Sequence, residues 1–441
     1  MKNDMITGYD MKGTREKCLV PALRFPEFKE EWKTDLMQSI FDIKNGYTPS
    51  KSNPSYWDNG TIPWFRMEDI RKNGHILSDS IQHVTPQAIK SSGLFPAYSI
   101  IVATTATIGE HALVIVDSLA NQQFTFLTKR KSFEDKIDMM YFHHYMFIID
   151  EWCKKNINSG GLVSVNMPAF KQLLIPYPSP EEQQKIVECL SSIDEEICAL
   201  KEKVEQLKAH KKGLLQKLFP VAGKFLPEVR FPEFKKDDEW DNKKLGDCLL
   251  QSPDYGLSSP AVPYSPLLPT YLRITDISEN GRFISKTKVS VDATITDENS
   301  LHDGDIVLAR TGASVGKSYK YRKEDGDLVF AGFLIRIRPN TTKYNSEFIF
   351  QYLQTDIYKK WVNITSARSG QPGINSNEYS SLSIPSPSPD EQQKIAECLS
   401  SIDELIGLYE NKVTLLEQHK KPKSKYFFYT RLMLQARQDS L

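Results

Sequence analysis

Several short stretches of this chain carry residue types that could do chemistry. Gly312-Ala-Ser-Val-Gly-Lys-Ser318 approaches a phosphate-binding loop. It has one residue too few between its glycines, and Tyr319 to Arg322 reads as strand where such a loop requires a helix. A glycine-turn hairpin is the expected structure. Asn53-Pro-Ser-Tyr56 is one residue away from the Asn-Pro-Pro-Tyr motif with which amino-methyltransferases hold a flipped base. No glycine-rich strand-to-helix turn for S-adenosylmethionine accompanies it, so a loop is expected there. Pro389-Asp390 could open a nuclease carboxylate set but falls at a helix start, with no partner at workable spacing. His143 and His144 are adjacent on a helix, where side chains diverge, and no Cys or carboxylate arrangement completes a ligand set. The six cysteines form no Cys-x-x-Cys pair and read as reduced thiols. No catalytic residue, metal site or cofactor is expected.

The elements around these stretches come in duplicate. Residues Ile175 to Glu195 recur as Ile384 to Glu404, 209 positions later, with 18 of 21 residues identical. Arg24-Phe-Pro-Glu-Phe28 recurs as Arg230-Phe-Pro-Glu-Phe234. Between these anchors Phe65 to Gly74 matches Leu272 to Gly281, Val102 to Gly109 matches Ala309 to Gly316, and Val165-Asn166 matches Ile374-Asn375. Each half is therefore a diverged globular region followed by a copied segment.

The copied segments read as long helices. Ser179-Pro-Glu-Glu182 and Ser388-Pro-Asp-Glu391 are capping boxes with Pro at the first helical position. A heptad seam follows in the first: Ile186, Leu190, Ile193, Ile197, Leu200, Val204 and Leu207, then Leu214 and Leu218, with Lys211 in the one missed place. The second gives Ile395, Leu399, Ile402, Ile406, Tyr409, Val413 and Leu416. Matching seams predict that the helices pack on each other, and a helix over 181–218 would be about 55 Å long. Cys189 and Cys398 pack beside the seam.

The globular regions read as mixed sheet. Ala97 to Ala103, Val114 to Val116, Phe124 to Leu127, Gly304 to Arg310 and Phe333 to Ile337 are short β-type runs; Met139 to Ile149 and Glu347 to Leu353 look helical. Zero formal net charge argues against a chain that coats DNA by charge alone, while leaving room for local basic surfaces. Met1 to Lys17 is polar, without an apolar signal core, and no apolar run reaches membrane-spanning length, so a cytoplasmic protein is expected.

The plan resembles the specificity subunits of type I restriction–modification complexes. Arg24 to Phe28 with Glu31-Trp32, Arg230 to Phe234 with Glu239-Trp240, the helix openings Pro178 to Ile186 and Pro387 to Ile395, and Leu308 to Gly316 with Ile108-Gly109 carry the resemblance. It implies an α+β protein in which two duplicated α/β target-recognition domains are joined by two long antiparallel coiled-coil helices in a pseudo-twofold arrangement. The expected boundaries are a flexible N-terminus over 1–20, recognition domains over 21–178 and 221–387, spacer helices over 179–220 and 388–421, and an atypical tail over 422–441. The resemblance further implies a non-catalytic subunit that reads a bipartite site on double-stranded DNA. Its partners would be two methyltransferase subunits, docked on the helices and the flanking Phe-Pro-Glu-Phe segments, and restriction/translocase subunits through the complex. The alternatives are a helical scaffold that does not bind DNA, an inactive or recombined specificity variant, and a single-chain restriction–methylation enzyme.

DNA reading is expected from polar and basic loop residues: Lys51, Tyr56, Arg66, Lys72 and Asn158 in the first arm, and Arg273, Lys286, Lys288, Arg310, Lys317, Lys320, Arg322 and Arg368 in the second. Arg66 and Arg273 recur in register, which also suits a structural pairing with Asp69 and Asp276. The copies part after His210-Lys-Lys and His419-Lys-Lys, and Pro422 is expected to stop or kink the second helix.

Overall fold

The computed structural model describes residue 21 and residues 23–91, 93–158, 163–367 and 370–428. The chain forms two compact units, Met1–Ala199 with Val413–Leu441, and Leu200–Lys412.

In the first unit, a five-stranded sheet runs in the order Phe41–Asn45, Phe124–Lys129, Ser99–Ala103, His111–Val114, Ile76–Leu77. The central strand Ser99–Ala103 is apolar on both faces because both are covered. Ile100 and Val102 join the core beneath helix Met139–Lys155, while Ile101 and Ala103 join a second cluster with Phe65 and Phe126. A three-stranded sheet built on Ile62–Phe65 lies beyond it around Trp64. The expected run Val114 to Val116 lies mostly past its strand, which occupies His111–Val114. Lys33–Leu36 pairs antiparallel with Leu174–Tyr177, closing the arm where the first long helix departs.

The second unit repeats this plan with its own details. One four-stranded sheet runs Asp254–Tyr255, Leu334–Ile337, Ile306–Ala309, Ser318–Lys320, and a second runs Ala261–Pro263, Val289–Val291, Thr270–Leu272, Leu328–Phe330. Two helices, Ser346–Tyr352 and Asp356–Thr365, stand where the first unit has one. Asp241–Lys244 pairs with Ser383–Ser386 as the counterpart closure. Gly312–Ser314 is a 3-10 turn followed by strand Ser318–Lys320, as the hairpin reading requires.

The long helices span Pro180–Leu218 and Pro389–Phe428. Only half of each capping box forms. The Ser179 and Ser388 hydroxyls accept the N–H groups of Glu182 and Glu391 at 3.4 Å, but the glutamate side chains turn away to another partner. The seam divides by function. Ile186 and Leu190 sit in the core of the first arm, and Ile395 and Leu399 in that of the second. Helix-to-helix packing in the second unit begins further along, where Val204, Ile402 and Ile406 cluster with Leu207, Leu214 and Tyr409. Ile197 and Val413 are buried, while Ile193, Leu200 and Leu416 are half-buried. Lys211 fills its gap in the seam as an ion pair with Asp403 at 2.7 Å, and Lys208 meets Glu410 at 3.1 Å. The lysine numbers rise as the acid numbers fall, so these stretches run antiparallel.

Pro422 does not stop the second helix, which continues to Phe428. Phe427 and Phe428 are buried in the first unit's core, Phe427 stacked on Phe25 at 5.3 Å and Phe428 edge-on to Tyr141 and Tyr145. A helix-interior proline costs about 3 kcal/mol. Two buried phenylalanines at roughly 1.5–3 kcal/mol each offset it. Leu218 and Phe219, 209 positions earlier, are likewise buried in the second unit's core. The expected tail therefore begins as helix, and residues 429–441 lie outside the described residues.

A second duplicated pair, Lys420 with Asp194 at 2.5 Å, matches Lys211 with Asp403. The neighbour differs. Gln351 donates to Asp403 in the second unit, whereas its counterpart in the first is His144, whose ring nitrogens are buried without hydrogen-bond partners. His144 belongs to a group with His143, His111 and His75, whose successive ring centroids are 5.5–5.7 Å apart. Burial holds His111 and His144 down to about 4 and His143 well below its ordinary value. Lys420 adds to the depression at His144, while Asp194 and Asp138 oppose it.

The folded values are lower than the unfolded value of about 6.5. The stability contributed by these neutral rings is thus present above that pH and lost as pH falls toward about 4. We predict that acidification opens the first unit before the second. Hydrogen exchange at pH 7 and pH 5, corrected for intrinsic rates, should show helix Met139–Lys155 losing protection while Ser346–Tyr352 keeps it. The substitution His144→Gln should reduce the loss; equal losses in both units would contradict the assignment.

Candidate nucleic-acid interface

The recurring Arg-Phe-Pro-Glu-Phe segments turn inward. Arg24 Nε and Nη2 donate to the Glu182 carboxylate at 2.8 Å each, and Trp32 Nε1 donates to the same group at 3.3 Å. Arg230 and Trp240 hold Glu391 in the same way, at 2.8, 2.8 and 2.9 Å. These are the partners that draw the glutamates out of their capping boxes. The segments clasp each arm to the start of its own long helix, and Phe25 and Phe231 pack against their own cores. The recurrence of Arg, Trp and a helix-N3 Glu in both copies was the available signal for this contact.

The basic residues expected to meet DNA divide into engaged and open groups. Arg273 is engaged: it forms a two-pronged pair with buried Asp276, both bonds 2.8 Å, which raises its pKa. Its counterpart Arg66 pairs instead with Glu68 at 2.8 Å and lies over the Trp64 ring, while its backbone N–H donates to Asp69. Lys317 is tied to Glu279 at 2.6 Å and to the Ile277 carbonyl, and Lys320 to half-buried Glu347 at 3.1 Å. Arg322 is half-buried, with Nη1 lacking a hydrogen-bond partner. Arg273, held on a fully buried carboxylate, has little left to offer a phosphate, whereas the partners of Arg66 and Lys317 are themselves exposed and hold those charges less firmly.

Lys51, Lys72 and Lys286 are exposed on turns and a helix end. Lys288 lies 3.9 Å above the Tyr264 ring and Arg310 4.7 Å above that of Tyr255. Asn158 is exposed on the short hairpin strand Ile157–Asn158, and its amide reaches Ser164 at 3.4 Å. Tyr56 ends a 3-10 turn capped by Asn53 and packs against the Trp64 cluster, which gives Asn53-Pro-Ser-Tyr56 a structural role. Arg368 lies outside the described residues.

Sequence reasoning missed Lys90, which stands 4.3 Å over the Tyr47 ring, and the exposed aromatics Tyr255 and Phe333. Ser376 hydrogen bonds lower the Tyr255 pKa. No periodicity marks such residues; only the fold brings their rings to the surface. Among the described residues, no group of three or more His, Cys, Asp or Glu side chains is placed to hold a metal ion, and no helix is long and apolar enough to cross a membrane.

Comparison with known proteins gives a consistent result. The family model described as type I restriction modification DNA specificity domain matches twice, over residues 29–209 and 236–418. The chain is 31% identical over 375 residues to the type I restriction enzyme EcoprrI specificity subunit of Escherichia coli, spanning 84% of this chain and 87% of that protein. It is 29% identical over 242 residues to the MjaIX specificity subunit of Methanocaldococcus jannaschii, spanning 51% and 54%. The fold is similar to that of the type I restriction–modification S subunit from M. genitalium, with TM-score 0.57 and 16% identity, covering 92% of this chain and 98% of that one.

Proposed function

This chain belongs to the type I restriction modification DNA specificity family, and from that premise we propose that it is a non-catalytic subunit whose two arms each read one half of a bipartite site on double-stranded DNA. The long helices dock two methyltransferase subunits, and restriction/translocase subunits join through that complex. The recognition arms correspond to 21–178 and 221–387.

One observation carries the reading. The framework is duplicated side chain for side chain, through Arg24–Glu182 and Arg230–Glu391 and through Lys420–Asp194 and Lys211–Asp403. The open loop residues of the two arms are not duplicated. A repeated support presenting unlike surfaces suits two unlike DNA half-sites. Burial of Phe427 and Phe428 at the positions matching Leu218 and Phe219 favours an intact second helix over a recombination-damaged one.

The open lysines Lys51, Lys72, Lys286 and Lys288 position the duplex through phosphates. Replacing Lys286 and Lys288 with alanine should weaken binding across all sequences and flatten the salt dependence. Each lost phosphate contact lowers the log–log slope by about 0.9. Filter binding of the complex with its methyltransferase, titrated between 50 and 200 mM salt, measures this. Unchanged slopes for this pair and for Lys51 with Lys72 would reject the DNA-contact assignment.

A further inference from the structure

The hydrogen bonds of the two arms superimpose a tip that sequence alignment left blurred. Thr104 N donates to Gln123 O at 3.0 Å, and Arg310 N to Phe333 O at 3.1 Å. Val165 N donates to Thr104 O, and Ile374 N to Arg310 O, both at 2.9 Å. Phe124 N reaches back to Asn121 O, and Leu334 N to Ala331 O. Against the same turns lie Gly46 and Gly256, where an added Cβ would overlap the carbonyl oxygens of Ala120 and Phe330. Thr104 therefore corresponds to Arg310, which corrects by one position the sequence match of Val102 with Ala309: Ala103 and Ala309 are the equivalent residues, each accepting the N–H of the following glycine, Gly109 or Gly316. The turn Asn121–Gln123 likewise corresponds to Ala331–Phe333. The backbone frame is held tightly in both arms.

The side chains on this frame are unlike. In the first arm Thr104 is short and buried, its hydroxyl bonded to that of Thr125 at 3.0 Å. The turn instead presents Gln122, exposed, with its amide oxygen steadied by the Thr48 hydroxyl. In the second arm the position of Gln122 is Gly332, where an added Cβ would meet the Ser258 hydroxyl at 3.0 Å and the Leu257 carbonyl at 3.2 Å, and the long polar side chain at the tip is that of Arg310. That guanidinium is stacked on Tyr255, whose hydroxyl accepts the Ser376 N–H at 3.1 Å. Among the described residues Arg310 has no carboxylate partner. Phe333 beside it is 65% exposed, an aromatic ring given to solvent at a turn with no packing need for it.

We infer that this tip is the base-reading point of each arm, with Gln122 reading an adenine in one half-site and Arg310 a guanine in the other. The inference rests on the proposed role as a DNA reader and adds which residues read and what they read. A glutamine amide matches adenine N6 and N7 with one donor and one acceptor, and a guanidinium fork matches guanine O6 and N7. The Tyr255 ring beneath the guanidinium, 4.7 Å from its carbon to the ring centroid, limits where the fork can sit before DNA arrives. Phe333 supplies an apolar surface of the kind that meets a thymine methyl group in the major groove.

The test is genome-wide methylation mapping in cells supplying the methyltransferase, with the full chain and its variants. Gln122→Ala should relax one adenine in one half-site. Arg310→Ala should relax one guanine in the other, each by roughly tenfold to a hundredfold in preference. If Arg310→Ala abolishes methylation, Arg310→Lys keeps the charge without the fork and should still write a motif with that guanine relaxed. A wild-type chain that writes no bipartite motif overturns the DNA-reading role itself, and the inference with it. A wild-type bipartite motif left unchanged by Gln122→Ala and Arg310→Lys overturns only the assignment of the tip, as does relaxation at a base other than guanine in the Arg310 variants.

Discussion

Replacing Arg230 with alanine is expected to destabilise the second unit by about 3–5 kcal/mol, the cost of stranding a buried carboxylate. Glu391 is 1% exposed and Arg230 10%, so water cannot take over the lost bonds. Trp240 would remain as a single neutral donor to a full negative charge. Arg24→Ala should do the same to the first unit, where Glu182 is 2% exposed. Denaturant unfolding followed by tryptophan fluorescence reads the change, since Trp32 and Trp240 sit at the two carboxylates. The double variant Arg230→Met with Glu391→Met should recover most of the loss, because it removes the charge along with its partner. A loss below about 1 kcal/mol in Arg230→Ala, the range of exposed pairs, would show that the clasp is wet.

Lengthening both long helices by one heptad is expected to widen the unread gap between half-sites by about three base pairs, leaving the half-sites themselves unchanged. A heptad adds about 10 Å of helix and keeps the seam in register, and B-DNA rises about 3.4 Å per base pair. The structure dictates that the insertion be made in both helices. Asp194 and Lys211 are 17 residues apart on the first, and so are Asp403 and Lys420 on the second. Insertions after Glu202 and after Asn411 preserve the Lys211–Asp403 and Lys420–Asp194 pairs together. An insertion after Glu202 alone makes the two spans unequal, so one pair must break, and methylation should be lost. Exchanging one arm should have the converse effect, replacing one half-site and keeping the gap. Methylation mapping of both constructions decides the matter. An unchanged gap in an active, doubly lengthened complex would sink the ruler, and an arm exchange that altered both half-sites would sink the modular reading.

Much of this architecture follows from local rules, which is why the sequence by itself determined it. The helix starts are set by Ser179-Pro180 and Ser388-Pro389, the long helices by heptad spacing, and the two-arm plan by the repeat of Ile175 to Glu195. The strands around Ile100 and Val307 declare themselves by short apolar runs between turns. Tertiary structure decided the matters that depend on partners distant in the chain. Glu182 satisfies the pattern of a capping box, yet a guanidinium 158 residues away outbids its own helix end for the carboxylate. Pro422 carries the local signal of a helix stop, but burial of Phe427 and Phe428 against Phe25, Tyr141 and Tyr145 outweighs it. Arg273 and Arg310 are alike as letters. One is spent on Asp276 and the other stands over Tyr255, because the availability of a charge is set by what the fold places within about 4 Å of it.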